Sequence, residues 1–551
     1  MNRRQFAKAV SAVAASFGLT NKAWPSVDPQ AEVKLAAGSE PMSEPMLRGR
    51  FKPEWESLRQ YKCPDWFRDA KFGIWQHWSA QCVPEQGDWY ARNMYQQFQK
   101  SGDGTMKPGH DYTYQCEHYG HPSKVGFKDI DHLWHAENWD PQRLVSLYKR
   151  AGARYVVALA NHHDNFDNWN SKYQPWNSVA IGPKKDLIGG WAKAVRTGGL
   201  KFGVSVHAAR ARDWFDVSRG ADSEGPLAGV PYDGNLTKAD GKGLWWDGLD
   251  PQDLYAQGHP NKARKDAAYC TKFYNRTMDL INQHSPDVLC FDDDYTRAGL
   301  PLYDVAPEVG LQLAAHFYNT NERLHEGKLE AVLNGKKLSP DHVAAMVEEI
   351  EQGSSAIIEP LPWQTETCIG NWHYNRSLFE HHSYAKSTKV LRMLVDIVSK
   401  NGNLLLSIPV RGDGSIDADE EQILNEIAAW MDVNGEAIFA TRPWSVFGEG
   451  PSLVGYQPNM MRNMTYTPED VRFTTKGKTL YAFVMDWPGS GVVKIKTLAE
   501  GSTAYPGKIG SISLLGSNAV LKSSRTAEAL SITLPAAAPC AGAFALRIDA
   551  A

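Results

Sequence analysis

The chain has 551 residues, 42% of them hydrophobic and 22% charged, and a net charge of −4. That much apolar material supports a large core in one or more domains, which excludes a small scaffold dependent on disulfide or metal staples. The near-neutral balance excludes the strongly basic surface expected of a nucleic-acid or anionic-membrane binder.

The N-terminal run Asn2-Arg3-Arg4-Gln5-Phe6-Ala7-Lys8 is a twin-arginine pattern. The weakly apolar stretch after it, Ala9 to Leu19, is too short to span a bilayer. Residues 1–30 read as an export signal that carries a folded protein across a bacterial inner membrane, placing the protein in the periplasm or outside the cell. Residues 31–50, rich in Ala, Ser, Pro and Glu without periodicity, read as a linker. Seven scattered cysteines without a CxxC pair exclude a zinc ribbon, and an exported chain could form one or two disulfides.

From residue 51 to about 440 the pattern is strand, loop, helix, repeated. Lys71 to His77 is a short strand ending in histidine, and Gln142 to Ala151 is helical with Leu144, Leu147 and Tyr148 on one face. Tyr155 to Ala160 is an apolar strand that runs into His162, His163 and Asp164. Leu187 to Thr197 is helical, Phe202 to His207 a strand, Lys262 to His284 helical, and Asp287 to Phe291 a strand leading into Asp292, Asp293 and Asp294. Pro307 to Leu324 (helix), Glu330 to Leu333 (strand), Val343 to Glu351, Thr388 to Ser399 (helix), Asn403 to Ser407 (strand) and Glu420 to Asn434 (helix) continue the series.

Short strands apolar on successive positions are buried on both faces, as in a parallel sheet. About eight such units over roughly 380 residues fit an α/β fold of the TIM-like (β/α)8 type with insertions. No GxGxxG follows the first strand, which argues against a dinucleotide fold. Residues 441–551 change character. Thr479 to Met485, Gly491 to Lys496, Ile509 to Leu515 and Leu530 to Leu534 predict a C-terminal antiparallel β-sandwich.

In a barrel, His77, His162 with His163, His207 and Asp292 all meet at the face formed by the strands' C-terminal ends. A catalytic zinc is disfavoured, because adjacent histidines on an extended chain point to opposite sides and neither an HxH nor an HxxxH spacing accompanies them. Glycoside hydrolysis needs two carboxylates flanking the sugar. Asp292 suits the ionised partner, with Asp293 and Asp294 as competitors. Glu348, Glu349 and Glu351 crowd a later strand end where the second carboxylate belongs. A sugar-binding barrel without an acid is the non-catalytic reading of the same residues.

Several segments together resemble the α-L-fucosidases, glycoside hydrolase family 29. They are Trp66 to Trp78, Gly87 to Tyr95, Ala151 to Val157 with His162-His163-Asp164 and Trp169, and Asp186-Leu-Ile-Gly with Gly199 to Val204. Trp363 to Gly370 with Trp372 to Asn375, and Val398 to Leu406, complete the set. The resemblance implies a retaining exo-hydrolase for terminal α-L-fucose on oligosaccharides or polysaccharides, without cofactor or metal. It implies Asp292 as nucleophile and Glu351 as acid/base, with Glu349 as the alternative. It also implies sugar contacts from His77, Asp88, Trp89, His162, His163 and Trp372. A related exo-glycosidase such as an α-L-galactosidase and a fucose-binding pseudoenzyme are the competing readings. The chain departs from the family pattern in several places. Asp293 stands for a common glycine, Cys290 for tryptophan, Asn165 for glycine and Asp88 for glutamate. Asn334-Gly335-Lys336 stands where an Asp-Arg pair is frequent.

Overall fold

The computed structural model describes residues 44–256, 267–294, 305–453 and 464–551. The twin-arginine pattern, most of the linker and Lys262 to Asp266 lie outside them. Eight strands close a barrel in sequential order: β1 Phe72–Gln76, β2 Tyr155–Asn161, β3 Lys201–Val206, β4 Val288–Asp294, β5 Val332–Lys336, β6 Val347–Glu351, β7 Trp363–Cys368 and β8 Gly402–Ser407. Every neighbouring pair is parallel, and β1 closes the ring by pairing with both β2 and β8.

The strands are apolar because helices cover them outside and side chains fill them inside. All seven residues of β2 are buried. The ring of Tyr155 crosses the interior, and a Cβ at Gly73 would stand 2.4 Å from it, so the glycine on β1 makes its room. The Tyr155 hydroxyl donates to Gln364 Oε1 on β7 at 2.7 Å.

Six longer helices dress the barrel: α1 Pro141–Arg150, α2 Leu187–Thr197, α3 Ala267–His284, α4 Pro307–Leu324, α5 Ser387–Ser399 and α6 Ala418–Asn434. Their starts follow the capping rules. Asp140 accepts from Arg143 N ahead of Pro141, Asp186 accepts from Gly189 N, and Asp417 forms a capping box with Glu420. α1 presents Leu144, Val145, Leu147 and Tyr148 to the core, the face expected from their spacing.

Two expectations shift in ways that matter for function. β4 runs on to Asp294, so Asp292 is a strand residue and not a loop residue. β5 is not Glu330 to Leu333 but Val332–Lys336. The expected strand stops short of Gly335 and Lys336. In the barrel they stay extended because β6 pairs with both and β4 pairs with Lys336.

After α6 the chain builds two antiparallel sheets. One has five strands, β9 Arg442–Glu449, β10 Val471–Lys476, β11 Thr479–Val484, β16 Phe544–Ala550 and β13 Ile509–Leu514, in the order β9-β10-β11-β16-β13. The other has three, β12 Val492–Ile495, β15 Leu530–Thr533 and β14 Lys522–Arg525, in the order β12-β15-β14. Both sheets contribute to one apolar core that includes Phe473, Val484, Val493, Ile532 and Leu546, the mark of a sandwich. β9, β10, β14 and β16 escape the sequence pattern. β9 and β14 are edge strands, whose side chains are mostly not buried and so show no clean alternation.

The sandwich is tied to the barrel by charge as well as packing. Arg472 on β10 is fully buried and its Nε lies 2.6 Å from Asp396 Oδ1 on α5, while Lys400 Nζ lies 2.7 Å from Asp396 Oδ2. Trp430 and Asn434 of α6 bond the backbone of Ala543 and Ala545 beside and within β16. Among the described residues no disulfide forms, and no helix is long and apolar enough to cross a membrane.

Candidate active site

A cavity of about 470 Å³ opens at the C-terminal ends of the barrel strands, within the size range of small-molecule sites. Its walls include His77, Trp89, His162, His163, Asp292, Glu351 and Trp372. Seven of the eight site residues expected from sequence therefore converge on one space, although they come from six separate places in the chain. The side chains of Asp293 and Asp294 lie outside the described part of the protein.

The paired histidines do not diverge as extended backbone would make them. β2 ends at Asn161, and the chain turns at once, with Asn165 N bonding His162 O at 3.0 Å and Asn165 at φ 64°. Asparagine tolerates that left-handed conformation better than most residues, which accounts for its standing where glycine is common. The turn swings both rings into the cavity, with centroids 4.5 Å apart.

Their hydrogen bonds give them opposite characters. Gln81 Nε2 donates to His162 Nδ1 at 3.0 Å, which leaves His162 Nε2–H as a donor. His163 Nδ1 donates to the His207 carbonyl at 2.5 Å, which leaves His163 Nε2 as an acceptor. Burial keeps both neutral: it pushes His162 well below the usual imidazole range and His163 down to about 3. One donor and one acceptor side by side suit a pair of sugar hydroxyls.

Asp292 is held from several directions. His207 Nδ1 stands 2.9 Å from its Oδ2, and His163 Nε2 3.9 Å from the same oxygen. Trp75 Nε1 donates to Ser205 Oγ at 3.0 Å, and Ser205 Oγ lies 3.0 Å from His207 Nε2. That relay fixes the His207 tautomer with its proton on Nδ1, facing the carboxylate. Lys336 Nζ contacts Asp292 Oδ1 directly. Burial by itself would raise the Asp292 pKa, but the Lys336 cation and His207 outweigh it and hold the carboxyl well below the usual range.

Lys336 is the residue that sequence reasoning passed over. Its Nζ contacts Glu366 as well as Asp292 and lies 3.3 Å from Glu351 Oε2. Burial would lower its pKa, yet Asp292 and Glu366 raise it well above the ordinary value, so it remains a cation. The only signal in the sequence was its position where an arginine is frequent in the resembling family. Glu366, within the Trp363-rich segment, and Arg210 also line the cavity without having been singled out.

On β6 the period of two sends Glu349 and Glu351 the same way, Glu349 deeper and Glu351 at the rim. The Glu351 side chain is 52% exposed. Glu349 is buried, accepts from Gln364 Nε2 at 2.6 Å, and is pushed up to about 7 by burial. Burial and the neighbouring Glu349 raise Glu366 well above the carboxylate range. The nearest carboxylate oxygens of Asp292, Glu351 and Glu366 lie within 4.8 Å of one another.

Asp88 corrects the expectation made for it. It is absent from the cavity wall. Its carboxylate accepts from His373 N at 2.8 Å, Trp372 N at 3.2 Å and Asn371 Nδ2 at 3.0 Å. It therefore fastens the loop that carries Trp372, with three donors already on its two oxygens. Next to it Trp89 sits at φ 71°, a strained conformation for a bulky residue, with 41% of its surface exposed. The Asp88 clamp joins the two loops that present Trp89 and Trp372.

Two clusters could offer ligands to a metal: His77, His162 and His207, and Asp292, Glu351 and Glu366. In the second cluster the Lys336 ammonium contacts or approaches all three carboxylates and supplies the positive charge itself. In the first, the His207 nitrogens face Asp292 and Ser205, and His162 Nδ1 is engaged by Gln81.

Residues 41–436 match the family model described as alpha-L-fucosidase, and residues 463–549 match the alpha-L-fucosidase C-terminal domain. The tissue alpha-L-fucosidase of Homo sapiens is 26% identical over 514 residues, covering 89% of this chain and 89% of that protein. A crystal structure of Thermotoga maritima alpha-fucosidase in complex with fucose superposes with a TM-score of 0.64 at 26% identity, covering 91% of this chain and 100% of that one. The same bacterial protein in complex with a mechanism-based inhibitor gives 0.65 at 25% identity with the same coverage.

Proposed function

The chain belongs to the α-L-fucosidase family of glycoside hydrolases, and on that premise we propose that it releases terminal α-L-fucose with retention, through an ester between the sugar and Asp292. The observation that carries this reading is the short span between Asp292 and Glu351, whose nearest oxygens lie within 4.8 Å. Retaining pairs stand about 5–5.5 Å apart, whereas inverting pairs leave about 6.5–9.5 Å for a water.

Asp292 Oδ attacks C1 as the bond from C1 to the leaving oxygen breaks, and Glu351 gives its proton to that oxygen. Water then attacks C1, Glu351 takes its proton, and the bond to Asp292 breaks. The exposed rim position of Glu351 supports its role as acid/base, because it can reach a leaving group at the mouth while Glu349 is engaged below. We assign the sugar hydroxyls to His77, His162 and His163, and the aromatic walls to Trp89 and Trp372. Trp75, His77 and Glu366, all buried, line the cavity, which supports end-on entry of a terminal residue.

A proton NMR time course with an aryl α-L-fucoside tests the stereochemistry: the α anomer of fucose is expected first, and β-fucose appearing first would overturn the retaining assignment. The same assay with the aryl α-L-galactoside separates the competing specificity, fucose release being expected to dominate. No turnover of either, with fucose still bound, would support a binding protein instead. We extend the reading to export on the strength of Arg3-Arg4. Changing both to lysine in a reporter fusion is expected to keep the reporter inside the cell, and unchanged export would sink that reading.

A further inference from the structure

Lys336 contacts more of the reacting machinery than any single role requires. From β5 it reaches Asp292 on β4, Glu351 on β6 and Glu366 on β7. The strand register explains how. Lys336 pairs with Glu349 across β5 and β6, and Glu351 pairs with Glu366 across β6 and β7. The ammonium therefore rises from one layer of the barrel into the next, between the two carboxylates of the reaction. Its side chain is 6% exposed, so losing a partner would cost it more than it would cost a surface lysine.

The charges around it change during the reaction. The proposed reaction starts with Asp292 as a carboxylate and a proton on Glu351. Once Asp292 Oδ has bonded to C1 and the leaving oxygen has taken the proton, Asp292 is a neutral ester and Glu351 a carboxylate. The negative charge has crossed from one partner of Lys336 to the other. Had Lys336 touched Asp292 alone, the ester would leave it a buried cation without a counter-ion.

We propose that Lys336 exchanges its counter-ion between Asp292 and Glu351 across the catalytic cycle, holding the nucleophile ionised before the ester forms and the base ionised after it. Glu366 anchors the lysine from below. Burial and Glu349 push Glu366 well above the carboxylate range, so of the three carboxyls it holds a negative charge least readily and serves mainly to position the ammonium. The histidines facing the site, His77, His162, His163 and His207, are held neutral by burial. Arg210 and Lys337 also line the cavity, and among the described contacts Lys336 is the cation that reaches both reacting carboxyls. The inference rests on the assignment of Asp292 and Glu351 made above.

The test is Lys336→Gln beside Lys336→Arg, with folding checked by circular dichroism. In K336Q the acid limb of kcat/KM is expected to move up by about one pH unit or more, because Asp292 loses the cation that favours its ionised form. At acidic pH removal of the ester should become the slow step, because Glu351 loses the cation that favours its ionised form when it must act as base. A pre-steady-state burst of aryl alcohol should then appear, and azide, which needs no base, should raise kcat. K336R keeps the charge and should hold the limb near its wild-type position without a burst. A K336Q enzyme with an unmoved limb and no burst would overturn the proposal. If K336Q does not fold, K336R decides: a moved limb or an accumulated ester in that variant overturns it. Failure here is separable from failure of the functional assignment. An Asp292→Gly enzyme that azide rescues while K336Q behaves as an ordinary slow variant refutes the exchange alone.

Discussion

Replacing Asp292 by glycine is expected to lower turnover of an aryl α-L-fucoside by several orders of magnitude, on the order of 10⁴-fold. The carboxylate is the atom group that would bond to C1, and the described site holds no second carboxylate in its place. Glu351 and Glu366 stand beyond Lys336, and Glu349 is committed to Gln364. Azide should restore part of the activity, because glycine vacates space between His207 and Lys336 for a small anion. The azide nitrogen would then bond to C1 as the aryl oxygen leaves, giving a β-fucosyl azide of inverted configuration. Near-normal activity in the variant, or rescue without that product, would remove Asp292 from the mechanism. The wild-type pH profile carries a companion expectation. The reaction needs ionised Asp292, so kcat/KM falls as pH drops through its pKa. Burial raises that pKa, but Lys336 and His207 more than offset it. The acid limb should therefore lie below about pH 4, under the ordinary aspartate value.

Replacing Glu351 by glutamine should act on the leaving group and not on the sugar. General acid catalysis contributes roughly 10²–10⁴-fold. The loss should approach that range for a glycan or an aryl group of high pKa and shrink towards nothing for a dinitrophenyl group, which departs without a proton. A Brønsted plot of kcat/KM against leaving-group pKa should steepen relative to wild type. Glu349→Gln is the control. Glu349 sits one layer deeper on the same face of β6, so its loss should disturb Lys336 and lower rates evenly across leaving groups. If the leaving-group dependence appears in E349Q and not in E351Q, the two residues exchange roles.

Much of this molecule follows from local sequence. Apolar runs such as Tyr155 to Ala160 predict strands buried on both faces, and the spacing of Leu144, Leu147 and Tyr148 predicts a helix with one buried face. Boundaries fell within a few residues wherever a proline, an Asp cap or a polar strand end marked them. They failed at Gly335-Lys336, which lie beyond the strand expected from Glu330 to Leu333 and which the neighbouring strands hold extended. Edge strands such as Arg442–Glu449 also escaped, since a strand without a fully buried face shows no clean alternation.

The site divides in the same way. His77, His162, His163, His207 and Asp292 were visible because each follows an apolar strand, and a parallel barrel brings all strand ends to one face. Strand and period could say that these groups meet; they could not say what each one does there. Asp88 reads as a sugar ligand beside Trp89, yet it spends its carboxylate on backbone N–H groups as far as 285 residues away. The tautomers of His162 and His163 depend on Gln81 and the His207 carbonyl, 81 and 44 residues away, and that of His207 on Ser205, itself bonded by the distant Trp75. Lys336 looks like any surface lysine until the barrel closes and surrounds it with Asp292, Glu351 and Glu366. Strand, helix and strand-end residue are short-range properties, set by hydrophobic periodicity and capping. Ionisation, tautomer and counter-ion belong to groups brought together from distant segments in a largely buried space, where electrostatic interactions are strong enough to decide them.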